Sequence, residues 1–363
     1  MKCALIGLGR ISKKHQECLI ALRNELELVV ICDREQKNVD EFIFSYREKT
    51  GKSPSSTNCF EDILKYDIDL AIITTDTGSH YKITKRFLKN KIPCLVEKPL
   101  ALNGKQCKKL ECIAKKNQLV CGVFFQNRNN PAIRYLKQAI SEGRFGKISH
   151  ISGSMLWHRN RGYYANGAWR GKWKTDGGAF FNQAIHCVDI VQWLADSKVS
   201  NIFCRLSNRL HPYIEVEDYG LMSIQFENNI VASVEATVNC TKDIEETICV
   251  VGERGFVKIG GVAMNKIEEW EFTDERDYDR LVFNKANTEV KDLYGSGHIC
   301  VYKNFLNDFK NRSKLLVDFK EASSAVNIIL TAYKSFKQQK CLKYKENLNT
   351  SIMTNEILYR GEK

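Results

Sequence analysis

Cys3-Ala4-Leu5-Ile6-Gly7-Leu8-Gly9-Arg10-Ile11-Ser12 opens the chain with an apolar run, a glycine pair and the start of a polar-faced segment. Four uninterrupted apolar residues are the signature of a strand buried on both faces. The amphipathic stretch 12–23 reads as a helix. Between them Gly7 permits a tight turn and Gly9 lets the backbone approach a pyrophosphate, while small Ser12 stands where a third glycine would allow close helix packing. The helix N-terminus beyond supplies amide donors and partial positive charge for such an anion. Asp33 ends the second apolar run 26 residues after Gly7, placed to bond both hydroxyls of an adenosine ribose and to repel a 2′-phosphate. That favours NAD over NADP as the cofactor, with the adjacent Arg34, able to reach a phosphate, arguing the other way.

Working outward, the alternation repeats. Apolar runs at 3–6, 28–32, 70–73, 93–96 and 120–124 are separated by amphipathic segments at 12–23, 35–51, 79–90 and 103–117. Repeated βαβ units of this kind predict an α/β fold with a parallel, doubly wound Rossmann sheet over residues 1–122. The rhythm then changes to strands at 148–157, 201–206, 219–226, 230–238, 246–251, 255–259 and 266–272, with helices at 178–195, 299–310 and 320–339. Residues 123–340 are therefore expected to form an α+β domain with an open, mostly antiparallel sheet. Residues 341–363 carry no periodicity and stay an unassigned tail.

Composition narrows the function. With 363 residues, 43% hydrophobic and 27% charged, the chain is long enough for about two domains. Its net charge of +12 suits nucleic acid, a membrane surface or an anionic small molecule. The basic residues are scattered, with doublets such as Lys13-Lys14 on segments that also carry acids, and no nucleic-acid motif is present. Neither a nucleic-acid nor a membrane partner is expected. The fourteen cysteines include no Cys-x-x-Cys pair, so they read as reduced core thiols with no metal, in a cytoplasmic protein. The N-terminus reaches Arg10 without the apolar region of a signal peptide, and no uncharged stretch approaches the ~18 residues of a membrane span.

Two stretches carry chemistry. Glu97-Lys98-Pro99 follows the apolar run at 93–96, at the carboxyl edge where open α/β sheets bind ligands. A lysine there can hold a substrate hydroxyl and stabilise an alkoxide as hydride leaves. Taken alone the tripeptide is an ordinary surface sequence. The second stretch runs from Asp176-Gly177-Gly178 to Asp189, and on one helix Asn182, His186 and Asp189 would share a face. An amide, an imidazole and a carboxylate on one face are expensive to bury without purpose.

Gly-x-Gly-x-x-Ser, Thr74-Thr75 with His80, Glu97-Lys98-Pro99, Gln126-Asn127-Arg128 with Asn130-Pro131, Trp169-Arg170-Gly171 and Gly-Gly-x-x-x-Asn-x-x-x-His occur in the order found in the Gfo/Idh/MocA oxidoreductases. The chain resembles that family over nearly its whole length. The resemblance implies oxidation or reduction of a secondary carbinol of a sugar, cyclitol or nucleotide sugar, and homo-oligomers formed through the C-terminal sheet. By position it makes Lys98 and His186 the catalytic pair, with His186 taking the proton and Lys98 holding the oxygen; the reversed roles stay open. Gly7, Gly9, Arg10, Ile11, Asp33, Arg34, Thr74, Thr75, His80, Glu97, Lys98, Gln126, Trp169 and Arg170 would contact the cofactor. Asn182, Arg128, Asp189, Tyr163, Arg159 and Arg161 would contact substrate. Where the family usually has an acid four residues before the histidine, this chain has Asn182, which orients but cannot exchange protons. That departure resembles the branch acting on nucleotide sugars in surface-polysaccharide or glycan-precursor biosynthesis. The alternatives are an inositol or free-sugar dehydrogenase, an NAD-dependent glycosidase, and a dinucleotide-binding regulator without catalysis.

Overall fold

The computed structural model describes residues 1–290, 293–311 and 315–349. The chain divides into two compact units, the first built from Met1–Ala101, Lys105–Phe124 and His298–Ser323, the second from Leu102–Gly104, Phe125–Gly297 and the described residues from Ser324 on. The first contains, in order, β1 (Lys2–Ile6), α1 (Ser12–Ala21), β2 (Glu27–Cys32), α2 (Gln36–Thr50), β3 (Ser55–Thr57), β4 (Leu70–Ile73), α3 (Thr77–Lys89), β5 (Cys94–Val96), α4 (Gly104–Lys116) and β6 (Gly122–Val123). Its six strands are parallel in the order β3-β2-β1-β4-β5-β6. This is the doubly wound Rossmann order. β4 and β5 are wholly buried, which is why they read as unbroken apolar runs. The register sets Ile6 beside both Cys32 and Ile73, Ile73 beside Val96, and Val96 beside Val123. Gly7, Asp33, Thr74 and Glu97 consequently stand one residue past the same edge of the sheet.

The second unit holds α5 (Pro131–Ser141), β7 (Ile148–Leu156), α6 (Arg161–Ala165), α7 (Ala179–Asn182), α8 (Ile185–Ala195), β8 (Val199–Ser207), β9 (Tyr219–Phe226), β10 (Val231–Thr237), β11 (Glu245–Gly252), β12 (Gly255–Gly260), β13 (Lys266–Phe272) and α9 (Asp279–Ala286). α10 (His298–Asn311), α11 (Phe319–Gln338) and β14 (Leu342–Lys343) close the described chain. The eight-stranded sheet runs β13-β12-β11-β7-β10-β9-β8-β14, antiparallel except where β7 meets β10. Its strands alternate as expected. Ala232, Val234 and Ala236 point into the core while Val231, Ser233 and Glu235 face outward. α8 lies close on β7 because Gly153 has no side chain; a Cβ there would stand 3.2 Å from Val191.

Four features differ from the sequence expectation. The helix expected in the second domain at 299–310 is α10 of the first unit, where Tyr302, Phe305 and Leu306 join the core of Leu5, Cys18, Leu19 and Leu22. Burying each such side chain contributes about 1.5–3 kcal/mol, and periodicity alone does not name the surface that receives it. The helix expected over 178–195 is two, interrupted at Gln183 and Ala184, where the amides of both residues return to the carbonyl of Ala179. Asn182 is thus not on the helix of His186 and Asp189. The start of the unassigned tail forms β14, paired with β8 through Leu342 and Ile202, whereas residues 350–363 lie outside the described residues. Polar β3, α5 and α9 are additional. All fourteen cysteines are free, and burial pushes thiols such as Cys3 and Cys107 up to about 12. No described helix is long and apolar enough to cross a membrane.

Candidate active site

On the first unit, Gly7 has φ +98°, and a Cβ there would stand 2.5 Å from the Thr75 amide nitrogen. Only glycine fits. The turn is tied to its neighbours by the Gly7 amide donating to the Cys32 carbonyl at 2.8 Å and by the Thr74 hydroxyl donating to the Gly7 carbonyl at 2.6 Å. Above Gly9, by contrast, nothing lies within 4 Å of where a Cβ would be, so the loop keeps open space beside its backbone. Ser12 donates its hydroxyl to the Gly9 carbonyl at 2.7 Å, and no side chain caps α1. Asp33 accepts from the Leu8 amide at 2.6 Å and the Glu35 amide at 2.9 Å, which fixes the carboxylate at the end of β2. Arg34 is exposed and 3.6 Å from Asp76. A glycine turn, an uncapped helix and a fixed acid at one sheet edge fit a dinucleotide.

Farther along that edge, His80 is buried between two carbonyls, Nδ1 2.8 Å from Pro99 and Nε2 3.1 Å from Thr75. Glu97 is buried as well. Burial alone would raise its carboxyl, but the hydrogen bond from His15 and the imidazole of His298 overcome this and hold it well below the usual range. The other Glu97 oxygen, Oε2, accepts from the Lys98 amide at 3.1 Å. Lys98 itself is part-exposed.

On the second unit, His186 opens α8 and is 5% exposed, its ring edge-on to Phe125 and its Nε2 3.4 Å from the Gln126 side-chain amide. The segment before it is locked. Asp176 accepts from the Gly171 amide at 2.6 Å and from the Asn182 side chain, so the amide that replaces the family's acid is oriented by a buried carboxylate. Gly178 has φ +91°, and any Cβ would overlap Glu217. Glu217 is fully buried, accepting from the Phe180 amide at 3.1 Å and from the Tyr333 hydroxyl, and burial pushes its carboxyl up to about 8. A folded-state value raised above the unfolded one gives stability that is complete at low pH and is lost as pH climbs toward 8. Glu217→Gln is therefore expected to flatten the fall in Tm between about pH 5 and about pH 8. Parallel Tm–pH curves for variant and parent would refute it.

Arg128 and Asp189, read from the sequence as substrate contacts, pair with each other. They form two 2.7 Å hydrogen bonds with each other and both side chains are 1% exposed, so they tie the turn at Gln126–Asn129 to α8. Arg159 is mostly spent too, paired with Asp243 at 2.9 Å. Arg161 is exposed, its guanidinium 5.7 Å from the Tyr213 ring. Arg170 lies over Tyr163 at 4.4 Å and Trp169 at 5.3 Å, donating to the Tyr163 and Asn166 carbonyls. Glu217 and His15 escaped the sequence reading because the partners that give them meaning are distant in the chain, and Asp176 because its bonds to Gly171 and Asn182 come from a turn with no periodicity.

A dinucleotide turn with a lysine past β5, and an imidazole on a helix packed against a mixed sheet, are the parts of a two-unit oxidoreductase. Residues 1–125 match the oxidoreductase family described as an NAD-binding Rossmann fold, and residues 133–258 match the Gfo/Idh/MocA C-terminal domain. The structure is similar to the WlbA dehydrogenase from Bordetella pertussis in complex with NADH and UDP-GlcNAcA, at 29% identity and TM-score 0.87 over 95% of this chain and 98% of that one. It is similar also to WlbA from Chromobacterium violaceum with the same ligands, at 30% identity and TM-score 0.85 over 95% and 96%. Among characterised sequences, scyllo-inositol 2-dehydrogenase (NAD(+)) of Bacillus subtilis is 26% identical over 72% of this chain and 74% of its own. The chain belongs to the Gfo/Idh/MocA family of oxidoreductases, and its first unit is an NAD-binding Rossmann domain.

Proposed function

We propose that the protein is an NAD-dependent dehydrogenase of a secondary hydroxyl on a nucleotide sugar. The observation that carries this is Asn182, an amide held by Asp176 at the position where the family has an acid. Two relatives near 30% identity, crystallised with NADH and UDP-GlcNAcA, support it. So does the exposed pairing of Arg161 with Tyr213, a cation and a ring suited to an anionic, flat ligand. NAD held at the Gly7 turn and by Asp33 would supply the hydride acceptor. Lys98 donates to the substrate oxygen and steadies it as charge develops, His186 takes the hydroxyl proton, and Asn182 orients the sugar.

The inositol dehydrogenases among the relatives favour a second reading, a cyclitol substrate. The two separate on one assay, NADH formation with UDP-GlcNAcA against scyllo- and myo-inositol. For a nucleotide sugar, turnover requires the UDP-sugar, weakens as salt is raised, and KM rises on the order of tenfold in Arg161→Ala. Salt-independent turnover of inositol without UDP-sugar activity would move the assignment to cyclitols. The reading includes a homo-oligomer through the exposed face of the eight-stranded sheet, where Leu221 and Val231 are 42% and 43% exposed, and a cytoplasmic setting consistent with free thiols.

A further inference from the structure

Beneath the nucleotide-binding edge of the first unit, behind Glu97, lies a set of buried polar groups on α1 and α10 to which no cofactor contact has been assigned. His15 on α1, Glu97 after β5, and His298 and Tyr302 on α10 are all nine-tenths or more buried. His15 Nδ1 is 2.7 Å from the Tyr302 hydroxyl and its Nε2 is 3.0 Å from Glu97 Oε1. His298 Nε2 stands 3.3 Å from the same oxygen, off the line of a good hydrogen bond, with its ring edge-on to His15 and stacked on Phe124. The proton positions follow from the surroundings. Burial keeps the Tyr302 phenol protonated and the His15 imidazole neutral, while Glu97 is ionised. Tyr302 thus donates to His15 Nδ1, and His15 Nε2–H donates to Glu97. The second Glu97 oxygen then accepts the Lys98 amide. Apolar residues would fill this core more cheaply than a buried carboxylate with imidazoles.

We infer that His15 is a positioning residue for Lys98, acting through Glu97: its hydrogen bond to Oε1 fixes the carboxylate whose Oε2 holds the Lys98 main chain. This rests on the proposed role of Lys98 at the substrate oxygen. The 3.0 Å contact between His15 and Glu97 is a direct, charge-assisted hydrogen bond. Its loss frees the carboxylate to turn and lets the Lys98 backbone relax, which misaims an ammonium that must sit within a few tenths of an ångström of the oxygen.

Two variants separate positioning from packing. In His15→Asn the amide takes the place of Nδ1 and keeps Tyr302 but does not reach Glu97; in His15→Gln it takes the place of Nε2 and does reach it. The expected result is a kcat lower on the order of tenfold in His15→Asn, with the Kd for NADH within about threefold of the parent, and recovery of most of that loss in His15→Gln although both lose similar Tm. Equal kcat losses in the two variants would leave only a structural role. Combined with Lys98→Met, His15→Asn should add no further loss; full additivity also overturns the inference. If Lys98→Met alone retains activity, the role of Lys98 itself fails and this inference falls with it, an outcome distinct from the other two. Stoichiometric zinc or another divalent metal in the purified protein would make His15, Glu97 and His298 ligands instead and overturn it as well.

Discussion

Lys98→Met is expected to lower kcat by about a hundredfold or more while leaving NAD binding nearly intact, since removing an oxyanion donor costs ~2.7–4 kcal/mol. The register makes the split sharp. Val96 pairs with Ile73 and Val123, so the chain beyond it leaves the sheet at the edge shared with Gly7 and Asp33. The groups that fit a dinucleotide's phosphates and ribose, the Gly7 turn and the Asp33 carboxylate, are held by bonds to Cys32, Leu8 and Glu35 that Lys98 does not touch. Methionine keeps the length of the side chain and removes its charge and its donors. Uniform binding of the cofactor therefore survives, and the contribution that grows with negative charge on the oxygen disappears. Steady-state rates and NADH fluorescence titration on the same preparation measure the two quantities. A fall in NADH affinity matching the fall in kcat would show that Lys98 serves the cofactor and not the reaction.

How much of this was legible in the sequence depended on how far apart the interacting residues are. β1, β4 and β5 were readable because strands buried on both faces must be apolar throughout, and Gly7 because its turn admits no side chain. Ser55–Thr57 was not, because an edge strand of three polar residues carries no pattern. The interruption after Asn182 was invisible for a different reason: Phe-Phe-Asn-Gln-Ala-Ile-His contains no glycine or proline, and the break shows only in the backbone, where Gln183 and Ala184 both bond to the Ala179 carbonyl. Pairings across long separations were the hardest. Arg128 and Asp189 are 61 positions apart, and His15 and Tyr302 are 287. Position in a motif pointed to Arg128 and Asp189 as ligand contacts, whereas only the fold shows that they pair with each other. Lys98 follows β5 and His186 lies in the first turn of α8, so each is carried by a regular element of its own unit.

His186→Asn tests the other half of the proposed chemistry, and its signature is a change in the shape of the pH profile as well as a loss of rate. α8 is fixed independently of the imidazole by the Arg128–Asp189 pair three residues on, so the substitution leaves the helix where it is. Asparagine keeps a polar group near Gln126 but has no ring nitrogen that can take and give a proton. If His186 takes the hydroxyl proton, kcat falls by roughly 10²–10⁴-fold and the rise of rate with pH that a base produces vanishes. Lys98→Met, on the same assignment, loses rate but keeps that rise. The reversed roles give the mirror image, with the rise surviving in His186→Asn and absent in Lys98→Met. Near-normal kcat and an unchanged profile in both variants would mean that neither side chain meets the reacting carbon, leaving an NAD-binding protein whose chemistry is carried by other residues.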